Sequence, residues 1–373
     1  MMKFAKNYLF ILIIALSKVV VDGNRYIIKY ENFDCYKEAQ DIRITDNAIE
    51  YLDTRETSII DVAMIETDEA LESVKEIPCV AFVEPDYIVD AFETTPYGIT
   101  MVQALEVEDL GSGFSSAIKV CVLDTGYYSE HPDLPTYHEG FTYYGNDYGD
   151  VQGHGTHVAG TIAAIGENDI DVIGVMRSRD TNLVIGKVLS NSGSGYTSDV
   201  LDGVLKCDDK GARVINMSLG GGGYSQAFQD AINTVHENGV IVVAAAGNGG
   251  DSSYLYPASY DNVISVAAVD SIQNVAYFSQ YNDKVDIAAP GVAVESTCVG
   301  GGTCTKSGTS MAAPHVAGVA ALLMSHHPDV DLSEIVDAMQ NTAIDRGDTN
   351  RDDYYGHGIV QAKEALDWLV SFK

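Results

Sequence analysis

From about residue 97 to residue 373, short apolar runs alternate with longer stretches in which apolar positions recur at helical spacing. Residues 118–123, 182–188, 213–217, 240–245, 263–268 and 285–288 are rich in Val, Ile, Leu and Ala. Continuous runs of this kind suit strands buried on both faces. The segments after residues 156, 197, 224 and 310 carry the helical period. Alternation of strand and helix predicts an α/β fold, a mostly parallel central sheet with helices on both faces. A shorter pattern precedes it, with strand-like runs at 25–30 and 59–65, a helix-like stretch at 68–76 and a last strand over 80–89. It reads as a small α+β domain spanning 24–92. The boundary to the larger domain, 93–373, falls where Pro96 follows Glu93-Thr94-Thr95. No internal repeat, low-complexity segment or transmembrane pattern is visible.

The first residues change the picture of where the chain works. Lys3 and Lys6 precede an apolar run from Tyr8 to Leu16, and Ala15 and Ser17 supply small residues at a cleavage site. The run is short for a membrane span, which takes about 20 residues, and Lys18 interrupts it. It reads as a secretory signal peptide, residues 1–17, with Gly23 as an alternative cut. Export makes disulfides permissible. The six cysteines are 35, 79, 121, 207, 298 and 304, and none has C-x-x-C spacing. Cys298 and Cys304 bracket a short Gly-rich loop and are expected to pair. Cys121–Cys207 and Cys35–Cys79 stay open as pairs.

Acidic residues outnumber basic ones 54 to 22, a formal charge of −32 in 373 residues. Such a polyanion excludes nucleic acid and anionic membranes as natural partners. It suits a self-repelling, soluble monomer.

Candidate chemistry sits in three stretches. Val120-Cys121-Val122-Leu123-Asp124-Thr125-Gly126 puts an acid at the end of an apolar strand. Gly153-His154-Gly155-Thr156-His157 opens one helix with histidine, and Gly308-Thr309-Ser310-Met311-Ala312 opens another with serine. In an open α/β sheet, strand ends and helix N-termini converge on one crevice. A serine hydroxyl needs an adjacent base to attack a carbonyl, and the imidazole needs a carboxylate to fix its tautomer.

These stretches closely resemble the subtilisin-like serine proteases (subtilases), and the similarity runs from about Tyr97 to Ala365. The resemblance implies a subtilisin-like fold, with a small ferredoxin-like α+β prodomain acting as inhibitory propeptide and chaperone. It implies a secreted endopeptidase with protein and peptide substrates, in which Asp124 orients, His154 is the general acid/base and Ser310 the nucleophile. Ala244-Ala245-Ala246-Gly247-Asn248 matches the family's oxyanion segment, with Asn248 as donor. Gly193-Ser194-Gly195 and Ser218-Leu219-Gly220 resemble the two groove edges that hold substrate as an extended strand.

The segment from Asn248 to Ser259 matches the wall and floor of the S1 pocket, where Leu255 stands at a position that is often small. Residues 82–90 resemble the end of the prodomain. A self-cut after Phe92 would present Phe at P1 and implies a preference for large apolar P1 residues. The family also binds calcium, a hard cation that takes oxygen ligands. Asp133, Asn168, Ile170 and Val172 match its strong site, with Glu93 where an amide is usual. The loop 348–353 is a weaker candidate. His157, His315, His326 and His327 are expected to be structural. A silent binding protein, or a peptide ligase on the same scaffold, are the competing readings.

Overall fold

The computed structural model describes residues 24–31, 49–51, 60–65, 68–77, 79–85, 93–110 and 118–371. The expected signal segment, Cys35 and the expected cut after Phe92 lie outside them. The chain divides into two compact units between Asp90 and Ala91.

Among its described residues, the first unit shows a four-stranded antiparallel sheet in the order β2-β3-β1-β4 and one helix. Its strands are β1 (Asn24–Tyr30), β2 (Ile49–Tyr51), β3 (Ile60–Ile65) and β4 (Val80–Pro85), and its helix is α1 (Asp68–Lys75). The alternate β1 residues Ile28 and Tyr30 are buried, as are Val74 of α1 and Cys79. This is the period-two burial of a sheet with one covered face. The three-residue strand β2 was not anticipated, being too short to show a pattern.

The second unit is built on seven parallel strands in the order β11-β10-β9-β8-β5-β7-β6. These are β5 (Lys119–Asp124), β6 (His138–Thr142), β7 (Asn182–Lys187), β8 (Val214–Met217), β9 (Ile241–Ala245), β10 (Val263–Val269) and β11 (Ile287–Pro290). The main helices are α2 (Tyr97–Met101), α3 (His154–Ala163), α4 (Thr197–Asp209), α5 (Gln226–Glu237), α6 (Thr309–His326), α7 (Leu332–Asn341) and α8 (Ala362–Ser371). A two-stranded antiparallel hairpin, β12 (Val294–Thr297) and β13 (Thr303–Lys306), stands apart from the sheet. This is the α/β fold with a parallel central sheet that the alternation of strands and helices predicted.

Two features place the site. The chain passes from β5 out to β6, back to β7, and then to β8 on the opposite side of β5. That reversal opens a crevice at the carboxyl ends of β5 and β8, where ligands bind in open α/β sheets. Helix α6 is apolar on every side and almost wholly buried, so it runs through the core and not over it. A disulfide joins Cys121 of β5 to Cys207 of α4, with Cα atoms 5.9 Å apart. A second closes the β12–β13 hairpin through Cys298 and Cys304, at 5.7 Å. Among the described residues no helix is long and apolar enough to cross a membrane.

Candidate active site

Asp124 ends β5 and is 1% exposed. His154 is the first residue of α3, after Gly153 in a left-handed conformation at φ 87°. The helix lies hard against the strand end because Gly155 has no side chain. A Cβ there would come within 2.3 Å of the Gly126 carbonyl oxygen. The imidazole is thereby brought onto the carboxylate, with Nδ1 at 2.8 and 2.9 Å from the two Asp124 oxygens. A carboxylate only accepts, so Nδ1 carries the proton and Nε2 is left as the base. Burial opposes charging of the ring, but Asp124 outweighs it and holds the His154 pKa above its usual value.

Ser310 is the second residue of α6. Pro314 lies four residues on and has no N–H, so the Ser310 carbonyl lacks its helical donor. That carbonyl instead accepts from Ser218 Oγ at 2.8 Å, and Ser310 Oγ donates to the Ser218 carbonyl at 3.1 Å. A reciprocal pair therefore ties the serine to the segment after β8. Asn216 Nδ2 supports it by donating to Ser218 Oγ at 2.9 Å.

Asn248 follows β9. Its Oδ1 accepts from Thr309 N at 2.9 Å and from Thr309 Oγ1 at 3.1 Å. The amide nitrogen is left facing Gly308 and the start of α6, 3.4 Å from where a Cβ on Gly308 would sit.

His154, Ser310 and Asn248 line one cleft of about 720 Å³, together with Gly193, Ser194, Gly195, Ser218, Leu219 and Gly220. All the groove and oxyanion residues expected from the sequence therefore share this cleft. Leu255 forms part of its wall, wedged between two backbones. Its Cδ2 lies 2.5 Å from where a Gly220 Cβ would be and 2.9 Å from a Gly247 Cβ. Beyond it Tyr256 and Tyr260 pack at 4.6 Å between ring centres, with Tyr224 against both. No Asp or Glu is among the described residues lining the cleft.

His157 and His315 are engaged away from the cleft. His157 Nε2 donates to the carbonyls of Val294 and Cys304, both at 3.1 Å, and burial pushes its pKa down to about 4. His315 Nδ1 donates to the Met311 carbonyl at 2.8 Å, with its pKa pushed down to about 4, also by burial.

Asp133, Asn168, Ile170 and Val172 meet away from the cleft. Asp133 accepts from Asn168 Nδ2 at 2.8 Å and from Val172 N at 3.0 Å, while Asn168 Oδ1 accepts from Ile170 N. Burial, with Asp171 and Glu93 adding to it, pushes the Asp133 pKa up to about 7. Glu93 reaches the same loop, accepting from Glu167 N and Asn168 N. Among the described residues no three His, Cys, Asp or Glu side chains are arranged to hold a metal.

Sequence reasoning passed over Asp150, Thr125 and Lys187, which form a buried polar bridge beneath the Asp124–His154 pair. The available signal was an aspartate four residues before a glycine-flanked histidine at a helix start.

Residues 115–358 match the model of the Subtilase family. Subtilisin DY of Bacillus licheniformis is 41% identical over 279 residues, 73% of this chain and 99% of that protein. Alkaline elastase YaB of a Bacillus species is 38% identical over 348 residues, 92% of this chain and 86% of that protein. Among solved structures, a psychrophilic subtilisin-like protease from an Antarctic Pseudoalteromonas superposes with a TM-score of 0.69. It is 29% identical, and the match covers 75% of this chain and 98% of that one.

Proposed function

The chain belongs to the subtilase family of serine endopeptidases, and on that footing we propose that Asp124, His154 and Ser310 are its catalytic triad and Asn248 its side-chain oxyanion donor. The observation that carries this is the Asp124–His154 pair at 2.8 Å opening on the cleft that Ser310 and Asn248 also line.

Ser310 Oγ turns from the Ser218 carbonyl to His154 Nε2 when substrate enters, and gives up its proton as it attacks the scissile carbonyl. Asp124 stabilises the imidazolium that results. The developing oxyanion is held by the amide nitrogen of Asn248 and the Ser310 backbone N–H. His154 then protonates the leaving amine, and water repeats the sequence on the acyl-enzyme. The segments 193–195 and 218–220 hold the substrate backbone as an added strand.

Substrates are peptides and proteins, taken with large apolar residues at P1. The acid-free cleft wall supports this, and Leu255 sets how deep such a side chain reaches. The chain is exported through residues 1–17 and matures by cutting itself after Phe92, releasing residues 24–92 as inhibitor and folding template. It acts as a monomer.

Calcium is a structural cofactor in this reading. The donor set fits it: the buried Asp133 carboxyl has Asp171 and Glu93 as negative neighbours, a surplus of hard oxygens that a divalent cation balances. Asp133, the Asn168 side-chain oxygen and the carbonyls of Ile170 and Val172 would hold it.

The test is Ser310→Ala in the full chain. The variant should cleave no peptide and stay unprocessed, while the parent matures and takes one equivalent of a fluorophosphonate on Ser310. A processed, active Ser310→Ala protein would overturn the triad.

A further inference from the structure

Asp150 lies in the loop before α3 and is 5% exposed. A buried carboxylate must be compensated, and here five donors do it. Oδ1 accepts from Thr125 Oγ1 at 3.0 Å, Gln152 N at 3.0 Å and Gly153 N at 2.9 Å. Oδ2 accepts from Thr156 N at 2.9 Å and Thr156 Oγ1 at 2.7 Å. Burial raises its pKa, but the N–H of Gly153 and the donors of Thr156 and Thr125 outweigh it, so the group is held below the usual range and ionised.

These partners belong to two different elements. Gly153 and Thr156 flank His154 in the first turn of α3, whose own N-cap residue, a glycine, supplies no side chain. Asp150 caps that helix from outside it. Thr125 continues the strand that carries Asp124. Its N–H donates to Asp124 Oδ1 at 2.7 Å, and its Oγ1 accepts from Gly155 N at 2.9 Å. The Thr125 hydroxyl thus donates to Asp150 and accepts from the helix at once. Lys187, 3% exposed, faces the bridge from β7 and donates to the carbonyls of Thr125 and Gly149 and to Asn191.

We propose that Asp150 is a positioning residue for the reaction: it clamps the start of α3 to the end of β5, fixing His154 against Asp124, and its charge supports the imidazolium formed in catalysis. This rests on the triad reading above. Asp150 touches no reacting atom. The charged and titratable groups that bear on His154 are Asp124 from β5, Asp150 from the loop, Lys306 from β13 and its own-helix neighbour His157. Lys187 and Asp147 bear on the clamp itself. Asp150 and Asp124 favour the charged ring and Lys306 disfavours it, so removing Asp150 shifts the balance toward neutral imidazole.

The experiment compares Asp150→Asn, Thr125→Val and Thr125→Ser with the parent, all produced as the full chain, by kcat, KM and the pH profile of kcat/KM. Small misplacements of a catalytic group can cost about 100-fold. Asp150→Asn should therefore lose kcat by roughly 30-fold or more with KM changed less than about threefold, and its acid limb should move to lower pH. Thr125→Val, which cuts the clamp but leaves Asp150 bonded to the helix start through Gly153 and Thr156, should lose kcat about tenfold, with Thr125→Ser restoring it. An Asp150→Asn enzyme with parental kcat or an unmoved acid limb overturns the proposal. Should Asp150→Asn not fold, equal kcat in Thr125→Val and Thr125→Ser overturns it. Fluorophosphonate labelling separates the two readings. Absence of label on Ser310 in the parent defeats the triad, whereas a labelled parent with an equally reactive Asp150→Asn defeats only the clamp.

Discussion

Asn248 commits its oxygen to Thr309, and that decides which end of the amide is left for the oxyanion role proposed for it. The Thr309 N–H at the start of α6 is an orphan donor that a helix end must satisfy. The amide is therefore held in one orientation before substrate arrives, and preorganised donors of this kind contribute more than flexible ones. Asn248→Ala should lower kcat by about 100- to 1000-fold, near 3–4 kcal/mol of barrier, with little change in KM. Steady-state kinetics on a chromogenic peptide check it; a loss below about tenfold would leave the Ser310 backbone N–H as the main donor. At this scale the residues proposed as triad and oxyanion donor were legible as candidates because each sits in a short local pattern at a strand or helix end. Asp150 was not, because its role lies in partners drawn from two elements, and spacing along the chain does not show which threonine a carboxylate will find.

Elements were legible in proportion to their burial. The six apolar runs became β5 and β7 to β11 with ends shifted by one or two residues, since a strand covered on both faces must be apolar throughout. β6 is half-exposed and lies on the sheet edge, so its sequence, His-Glu-Gly-Phe-Thr, carries no such run. The hairpin β12–β13 is short and polar. Its place is fixed by the Cys298–Cys304 bridge and by His157 reaching two of its carbonyls, neither of which is a periodic signal.

The loop 165–174 is held by a third kind of constraint. Glu167, Asp169 and Asp171 adopt left-handed φ values of 59°, 58° and 45°, a conformation that non-glycine residues rarely take, around a buried Asp133. The calcium proposed there would support the loop, so its removal should cost the whole unit stability. At calcium about 100 times its Kd the linkage is about 2.7 kcal/mol, which for a unit of this size predicts a fall in Tm of roughly 4–5 °C on chelation. Thermal melts with and without chelator measure it. Asp133→Ala should melt lower than the parent and no longer respond. Superimposable parental melts would remove calcium from the account.

The net charge of −32 acts on the molecule as a whole. Composition showed its size; the structure shows where some of the cations sit among the described residues. Lys119 and Lys210 both pair with Glu139, while Lys206, Lys284 and Lys363 pair with Asp202, Asp261 and Asp367. Each of these lysines is engaged, one carboxylate taking two of them, and the acids in surplus over the bases repel one another. Added salt weakens both terms. Exposed pairs contribute about 0–1 kcal/mol each, whereas self-repulsion grows with the square of net charge and is lost once the Debye length falls from about 30 Å at 0.01 M toward 8 Å at 0.15 M. With 54 acids against 22 bases in the full chain, and an acidic excess left in residues 93–373 alone, the repulsive term is the larger. The Tm should therefore rise by several degrees as sodium chloride goes from about 0.01 to 0.3 M at constant calcium and pH 8, most of the gain coming below about 0.15 M. Neutral osmolyte at matched osmolality should not reproduce that early rise. A Tm that falls with sodium chloride would mean that the ion pairs around Glu139 and Asp202 outweigh the repulsion, and that the acidic surface is neutralised locally and not by the medium.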